Sequence, residues 1–565
     1  MATGLVYPST AKEPATPGLP GTWNVSFSGA EVVWRDFFTG PIALPQEQLV
    51  SIARELLGLG WDEVPAAAQR ELVPFVADGR PHRALLLHSA TPVLKSLEAD
   101  LSDTANGRAA DDVAAYVETR SVSLAQAGDL CVGRTLAWQQ AVKLAGVDAV
   151  DVSGLKYYYL SHALLSLAAE TNGQAEALVR IAEWLRAHPD ALVRLYALDR
   201  ELQVVLLYLK RMAGLDYLAV DANSPVIGDY WNTKGPIHPD VEDALGLATT
   251  SADPLECLAA ESDLAPMARR LAIHYERLPG YTVRPHSDTL AVTEARLAAA
   301  ADLLKRRHGL SLGCLKPSEG GAGARITAGI SLDDSPRLAE LAGRIHSAQG
   351  DFLLEANMNY ATTNIAGLEL RLAPSAHVRY GSVPDGVTLQ IVKGTSWQGN
   401  IFVDEAVAPE VGLSVAEYHA MIGMTEKLRS AFDAIGLKLV TGGIDYAVGT
   451  VAGAYGDRRF VAFQDPNLSS HGAEYLRLFL DRTADSGLGR YGATKVVRPT
   501  PLGTLATLNA APAPTSCVTT VISTVPGRWG MLAALGHSPA SALRSVLEYE
   551  RSLIEGGLLL ETAPR

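Results

Sequence analysis

The sequence predicts a multidomain α/β protein, and three observations carry that prediction. A βαβ run spans 190–225: "DALVRLYALD" as a strand, "RELQVVLLYLKRMAGL" as a helix and "DYLAVDANSP" as a second strand, which favours an open sheet. From 311 onward the pattern changes to strands with glycine-rich connections. The 565 residues, 48% hydrophobic and 19% charged, amount to roughly three or four domains and can bury sizeable cores.

The elements follow in order. "MATGLVYPSTAKEPATPGLPG" is rich in Pro, Gly and Thr, and reads as a flexible leader over 1–22. Helical spacing dominates the next region, with "PQEQLVSIARELLGLG" and "NGQAEALVRIAEWLRAHPDA" ending at Gly and His-Pro. "RALLLHSA" and "AVDVSG" are strand candidates among them, and "YYYLSHALLSLAAE" reads as a buried helix. An N-terminal α/β domain is expected over 23–225, its strand end Asp221-Ala222-Asn223 lying where open sheets often bind ligands. Helices are expected within 254–308, then strands in "LSLGCLKPSEGGAGARI", "DFLLEANMNY", "LELRLAP", "HVRYGS" and "VTLQIVKGTSWQGN". A helix fits 414–435, and the strand pair "LVTGGIDYAVG" and "RRFVAFQDPN" closes a second domain over 226–500. Residues 501–565 read as a C-terminal extension finishing in a helix.

Composition excludes several function classes. The formal charge of −14, with no basic block, argues against duplex nucleic acid or anionic membrane as partner. Four dispersed cysteines, Cys131, Cys257, Cys314 and Cys517, support neither a zinc ribbon nor a disulfide scaffold, so a reducing cytoplasm is expected. No apolar run has the ~18–20 residues of a membrane span.

Three stretches carry possible chemistry. "CLKPSEGGAGARI" delivers Lys316, then Ser318 and a loop with Gly320, Gly321 and Gly323, whose uncovered amides can approach phosphate oxygens. A glycine-rich hairpin with a surface lysine explains the same residues. "DFLLEANMN" ends a strand at Glu355, where a solvated carboxylate is the plain reading. In "FVAFQDPNLSSHG", Asp465 and Asn467 share one face if the strand continues, and otherwise form an Asx turn. A hairpin centred near residue 456 places Asp445 opposite Asn467, and Ala447 opposite Asp465. Two aspartates and an asparagine on one face suit magnesium beside phosphates.

The order of these pieces resembles the ATP-grasp family. A lysine-bearing strand with a small-residue loop, a strand ending in Glu, and a Gly-x-Asp strand hairpinned to an acid-x-Asn strand carry the resemblance over about 220–480. "DANSPVIGDYWNTK", with Asn223 before Lys234, looks like that family's entry segment. The resemblance implies two α+β subdomains clasping ATP. Lys316 and the loop with Ser318 and the glycines would hold phosphates and Glu355 the nucleoside, Lys234 would also bind the nucleotide, and Asp465, Asn467 and, less certainly placed in the pattern, Asp445 would hold Mg2+. It implies a ligase that activates a carboxylate as an acyl phosphate for attack by an amine, on amino-acid or peptide-like substrates; the long N-terminal half, which resembles no housekeeping ligase, points to a specialised metabolite pathway. Its partners would be small-molecule carboxylates and amines, and a homodimer is the default assembly. The chain departs from the pattern in three places. Asp465 replaces the usual Glu. Gly443 stands where many members have an arginine, so Arg379, Lys393 or Arg371 would supply that cation unless they are solvated strand-edge charges. "LSSHG" replaces a Pro-Arg, making Ser469, Ser470 and His471 candidate substrate contacts, although a turn histidine is equally plain. The departures leave two rivals, a nucleotide-binding scaffold with a decayed site and an ATP-dependent phosphotransferase.

Overall fold

The computed structural model describes residues 43–561, apart from 78–81, 90–112, 134–141, 144–145, 153, 156, 158, 228–248, 251–252, 261–275, 286–288, 319–325, 349, 395, 452–458, 485–486, 488, 514–518, 526 and 528. The expected leader therefore lies outside the described residues. Among them, no helix is long and apolar enough to cross a membrane.

Six short parallel strands form the first sheet: β1 (Leu72–Pro74), β2 (Ala84–Leu87), β3 (Leu130–Gly133), β4 (Asp148–Asp151), β5 (Leu192–Arg194) and β6 (Leu218–Asp221), ordered β1-β6-β5-β2-β3-β4. β2 and β3 are buried along their whole length, as strands covered on both faces require. The helix Arg200–Ala213 links β5 to β6, as the βαβ pattern predicts. Its Asp199 side chain accepts from the Leu202 amide, and Gly214 ends it in the left-handed region.

A smaller sheet of order β11-β10-β12-β9-β7 comprises β7 (Thr249–Thr250), β9 (Gly280–Val283), β10 (Leu312–Pro317), β11 (Thr327–Ser331) and β12 (Phe352–Ala356); β8 (Glu276–Arg277) joins a third sheet. Helices Leu290–His308 and Ser335–Ala348 bury Leu297, Leu304, Leu341 and Ile345 against Leu315 and Leu354 of this smaller sheet. Strand β9, within "RLPGYTVRP", falls in the stretch expected to be helical; its four buried residues pair with β12 and supply one wall of that core.

The third sheet has ten strands. After β13 (Met358–Tyr360) and the separate β14 (Thr362–Ile365) and β15 (Leu368–Arg371) hairpin come β16 (Pro374–Val378), β17 (Val387–Lys393), β18 (Ser396–Val403), β19 (Gly442–Val451), β20 (Phe460–Asn467), β21 (Tyr491–Val497), β22 (Thr519–Val525) and β23 (Trp529–Gly536). The expected C-terminal extension carries its helix, Pro539–Glu555, and also β22 and β23, which pair into this sheet. Ile444, Tyr446 and Val448 of β19 face a core closed by helix Val415–Ala434, which starts on a Ser414–Glu417 capping box. Alternation turns Gly443 and Asp445 to the opposite face. Farther along the hairpin, Ala447, Val451, Phe460 and Ala462 pack into the core of the smaller sheet, joining the two lobes.

Candidate functional site

Lys316 lies on β10 next to Leu315, which packs into the lobe core, so by alternation its side chain leaves that core and faces the ten-stranded sheet. Glu355 on the neighbouring β12 points the same way, since Leu354 and Ala356 take the core side. The Lys316 ammonium stands 2.6 Å from Glu355 and 3.5 Å from Asp465 of β20, and donates to the Gln464 amide oxygen at 3.0 Å. The Tyr360 hydroxyl donates to the same oxygen at 3.3 Å. Lys316 and Glu355 are 3% and 1% exposed, so this is an interior charge cluster rather than a surface one. Burial works against the lysine's charge, but Asp465 and Glu355 outweigh it and hold the ammonium protonated above the ordinary lysine range.

The hairpin register differs from the expected one. Asp445 pairs with Asp465, Asn467 sits opposite Gly443, and a bulge shifts the register between Asp445 and Tyr446. Tyr446 pairs with Phe463, which leaves Gln464 as the extra residue. That bulge explains how consecutive residues, Gln464 and Asp465, both reach Lys316 in a strand that otherwise alternates.

Asp445 is held by neutral donors. Its carboxylate accepts from the Ser375 hydroxyl, from the Gln390 amide at 2.6 Å and from the Asn467 amide at 2.9 Å. Like charges directly opposite one another across a strand pair repel. Here Lys316 answers Asp465, and amide and hydroxyl donors answer Asp445. Among the described residues, no three His, Cys, Asp or Glu side chains are grouped to hold a metal ion. Two carboxylates and an amide, all oxygen donors, nevertheless fit a magnesium ion whose remaining ligands are phosphates and water.

The other expected site residues are placed as follows. Gly320, Gly321, Gly323 and Lys234 lie outside the described residues. Ser318 follows β10, is 8% exposed, and its amide donates to the Asp351 carbonyl at 2.8 Å. After Glu355, the amides of Ala356 and Asn357 donate to Pro279 and Leu312, and Glu355 is a buried partner of Lys316 rather than a solvated strand end. Arg379 and Lys393 are not brought together. Ser375 pairs with Thr388 on antiparallel strands, which sets the two cations at opposite ends of β16 and β17, about 30 Å apart along the strands. Arg379 pairs with Asp481 at 3.0 Å, and Lys393 is exposed at the turn into β18. Arg371 lies over the Tyr360 ring, 6.0 Å from its centre.

The segment after β20 folds back on the hairpin. The Ser470 amide donates to the Tyr196 carbonyl at 3.0 Å, and its hydroxyl meets Arg120 and Glu474. The Ser469 hydroxyl donates to the Ser470 carbonyl at 3.5 Å. His471 stacks on His377 with ring centres 4.7 Å apart and planes 6° from parallel. Burial lowers the His471 pKa to about 4, so the ring is neutral at physiological pH. A β-carbon on Gly443 would lie 3.3 Å from His471 and 3.5 Å from His377, so this glycine admits the stacked pair. Sequence reasoning did not find Gln464, Tyr360, Ser375, Gln390 or His377. Their polar side chains on otherwise apolar strands were the available signal, and they became meaningful only once the register placed them.

Two α+β lobes meet at one buried lysine, beside a parallel-sheet domain, the kind of arrangement that the resemblance stated from the sequence leads one to expect. No family model and no curated protein matches the sequence. Among solved structures, the chain is similar to an ADP complex of N5-carboxyaminoimidazole ribonucleotide synthetase, at 10% identity and a TM-score of 0.41, over 86% of this chain and 99% of that one. It is also similar to the biotin carboxylase domain of 2-oxoglutarate carboxylase from Hydrogenobacter thermophilus, solved with MgADP, ADP and bicarbonate, at 12% and 0.41, over 82% and 89%. A putative ATP-grasp superfamily protein from Archaeoglobus fulgidus is similar at 11% and 0.31, over 80% and 99%. At TM-scores of this size the overlap is partial, and the functional reading stands on this chain's own residues.

Proposed function

We propose that the protein is an ATP- and Mg2+-dependent carboxylate–amine ligase acting on amino-acid or peptide-like substrates. The observation that supports it is Lys316, a buried cation held between Glu355 of one lobe and Asp465 of the other, with Asp445 paired directly across the hairpin. In this reading Lys316 exchanges its carboxylate partners for phosphate oxygens when ATP enters, and Ser318 stands at the mouth of the loop beside them. A substrate carboxylate oxygen attacks the γ-phosphorus, the bond to the bridging oxygen breaks, and ADP leaves. The amine nitrogen then attacks the acyl carbon, phosphate departs and the nitrogen gives up a proton. Asp465, Asn467 and Asp445 would hold Mg2+, which supplies neutralising charge to the phosphates when bound. The neutral His377–His471 stack shields the adjoining space from water. An N-terminal domain over 23–225, a cytoplasmic setting and small-molecule partners belong to the same proposal; the expected division at 500 falls inside one sheet, since β23 pairs with β21.

Incubation with ATP, Mg2+ and pooled amino acids tests it. Amino-acid-dependent ADP together with an amide product is expected, and Asp465→Ala and Asn467→Ala should each abolish turnover with unchanged circular dichroism. Bound but intact ATP would instead make the protein a nucleotide-binding scaffold. A phosphorylated product formed without amine would make it a phosphotransferase.

A further inference from the structure

Asp445 is gripped from two sides by different strands. On one flank β16 pairs with β19 and sets Ser375 directly opposite Asp445. Ser375 in turn faces Thr388 on β17, so Gln390 projects from the same sheet face one diagonal step away, within reach of a long side chain. On the other flank β20 sets Asp465 opposite Asp445, and Asn467 opposite Gly443.

The two flanks take different oxygens of the carboxylate. The Ser375 hydroxyl and the Gln390 amide, the latter at 2.6 Å, both donate to Oδ1. The same amide donates to the Ser375 hydroxyl at 2.7 Å, closing a triangle that fixes all three groups. Ser375 is 4% exposed, so water does not readily replace its bond. Asn467 donates to Oδ2 at 2.9 Å. A carboxylate oxygen accepts about two hydrogen bonds, and Oδ1 already holds that number. A cation therefore meets this carboxylate at Oδ2, on the side where Asp465 and Asn467 stand. With Oδ1 taken, the carboxylate does not clasp a cation through both oxygens.

That restriction separates two cations. Mg2+ takes near-octahedral geometry, its oxygens about 2.1 Å away, and keeps several waters. Ca2+ takes roughly six to eight oxygens at about 2.4 Å and accepts carboxylates that chelate through both oxygens. We propose that Ser375 and Gln390 are positioning residues that set the metal preference of the site, holding Asp445 to one-oxygen coordination and so favouring Mg2+ over Ca2+. The proposal rests on Asp445, Asp465 and Asn467 being the metal-binding set, and it adds which residues choose the metal.

Competition for Mn2+ tests it, with the full chain saturated by a non-hydrolysable ATP analogue and free Mn2+ read by electron paramagnetic resonance. Relative to the analogue alone, the wild type should shift displacement in favour of Mg2+ over Ca2+. Ser375→Ala and Gln390→Leu should each weaken Mg2+ by roughly tenfold, the usual loss when a ligand's supporting partner is removed, and weaken Ca2+ less. Gln390→Glu, which exchanges a donor for a further carboxylate, should narrow the preference most. Ser375→Thr keeps the hydroxyl and should keep the preference. Thr388→Val removes a neighbouring hydroxyl that meets His377, and controls for general loosening of the sheet. Gln390 is only half-buried, so its variants decide the matter if Ser375→Ala fails to fold. Equal loss of both metals in the Ser375 and Gln390 variants would overturn the proposal, because loosened packing moves the two affinities together. The same narrowing in Thr388→Val, or a wild type without Mg2+ preference, would also overturn it. A wild type that adds nothing to the Mn2+ binding of the analogue alone would instead remove the metal-binding set itself.

Discussion

Lys316 shows what one residue does between two lobes. Removing one partner of a buried ion pair leaves the other charge without compensation, which costs about 3–5 kcal/mol. Lys316→Met removes the cation that Glu355 and Asp465 share and should lose stability on that scale in urea titrations. The double variant Lys316→Met/Glu355→Gln also removes the more deeply buried of the two carboxylate charges and should recover much of the loss. ATP affinity should stay low in both, because neither restores a cation for the phosphates. Recovery of ATP binding in the double variant would show that Lys316 is a structural counter-ion only. The sequence singled out Lys316, Glu355, Asp445, Asp465 and Asn467, and the structure places them in one cluster. Gln464 was not legible, because its reach toward Lys316 depends on a bulge that leaves no mark in the local pattern.

At the scale of elements, the β19–β20 hairpin does most of the positioning. β19 pairs with β16 over Gly442–Asp445 and with β13 over Gly449–Val451, so one strand edge serves two partners in succession. The hand-over needs Gly449, where an added β-carbon would lie 2.1 Å from the Asn359 carbonyl oxygen. Gly449→Ala must therefore push β13 away, at a cost of about 1–3 kcal/mol. Because β13 carries Tyr360, the shift should also disturb the hydroxyl bonded to Gln464. A lowered urea midpoint with weakened ATP affinity is expected, and an unchanged midpoint would mean that the strand edge tolerates the methyl group. Long helices and strongly apolar strands were legible from periodicity alone, as in Arg200–Ala213 and Val415–Ala434. Strands β21, β22 and β23 were not. Their Gly, Ala and Thr content gives weak alternation, and pairing with distant strands is what fixes them.

At the scale of the whole molecule, Asn223 ties the parallel-sheet domain to the head of the hairpin. Its amide nitrogen donates to the carbonyls of Thr441 and Leu468 at 2.6 and 2.8 Å, and its oxygen accepts from the amides of Val440 and Thr441 at 2.7 and 3.1 Å. The side chain is 5% exposed, so water does not substitute readily for these bonds. The sequence marked Asn223 as a strand-end asparagine near a ligand edge; only the folded chain shows that it bonds backbone more than two hundred residues away. Asn223→Ala leaves several backbone groups buried without partners, a loss on the order of 3 kcal/mol. The interface would loosen where Asp221 meets Glu474 and Thr441, while the Lys316 cluster, built from the other two sheets, stays assembled. Hydrogen exchange at 440–441 should therefore rise with little change at 314–316. Equal rises in exchange at both segments would instead mean that the parallel-sheet domain and the clasp fold as one cooperative unit.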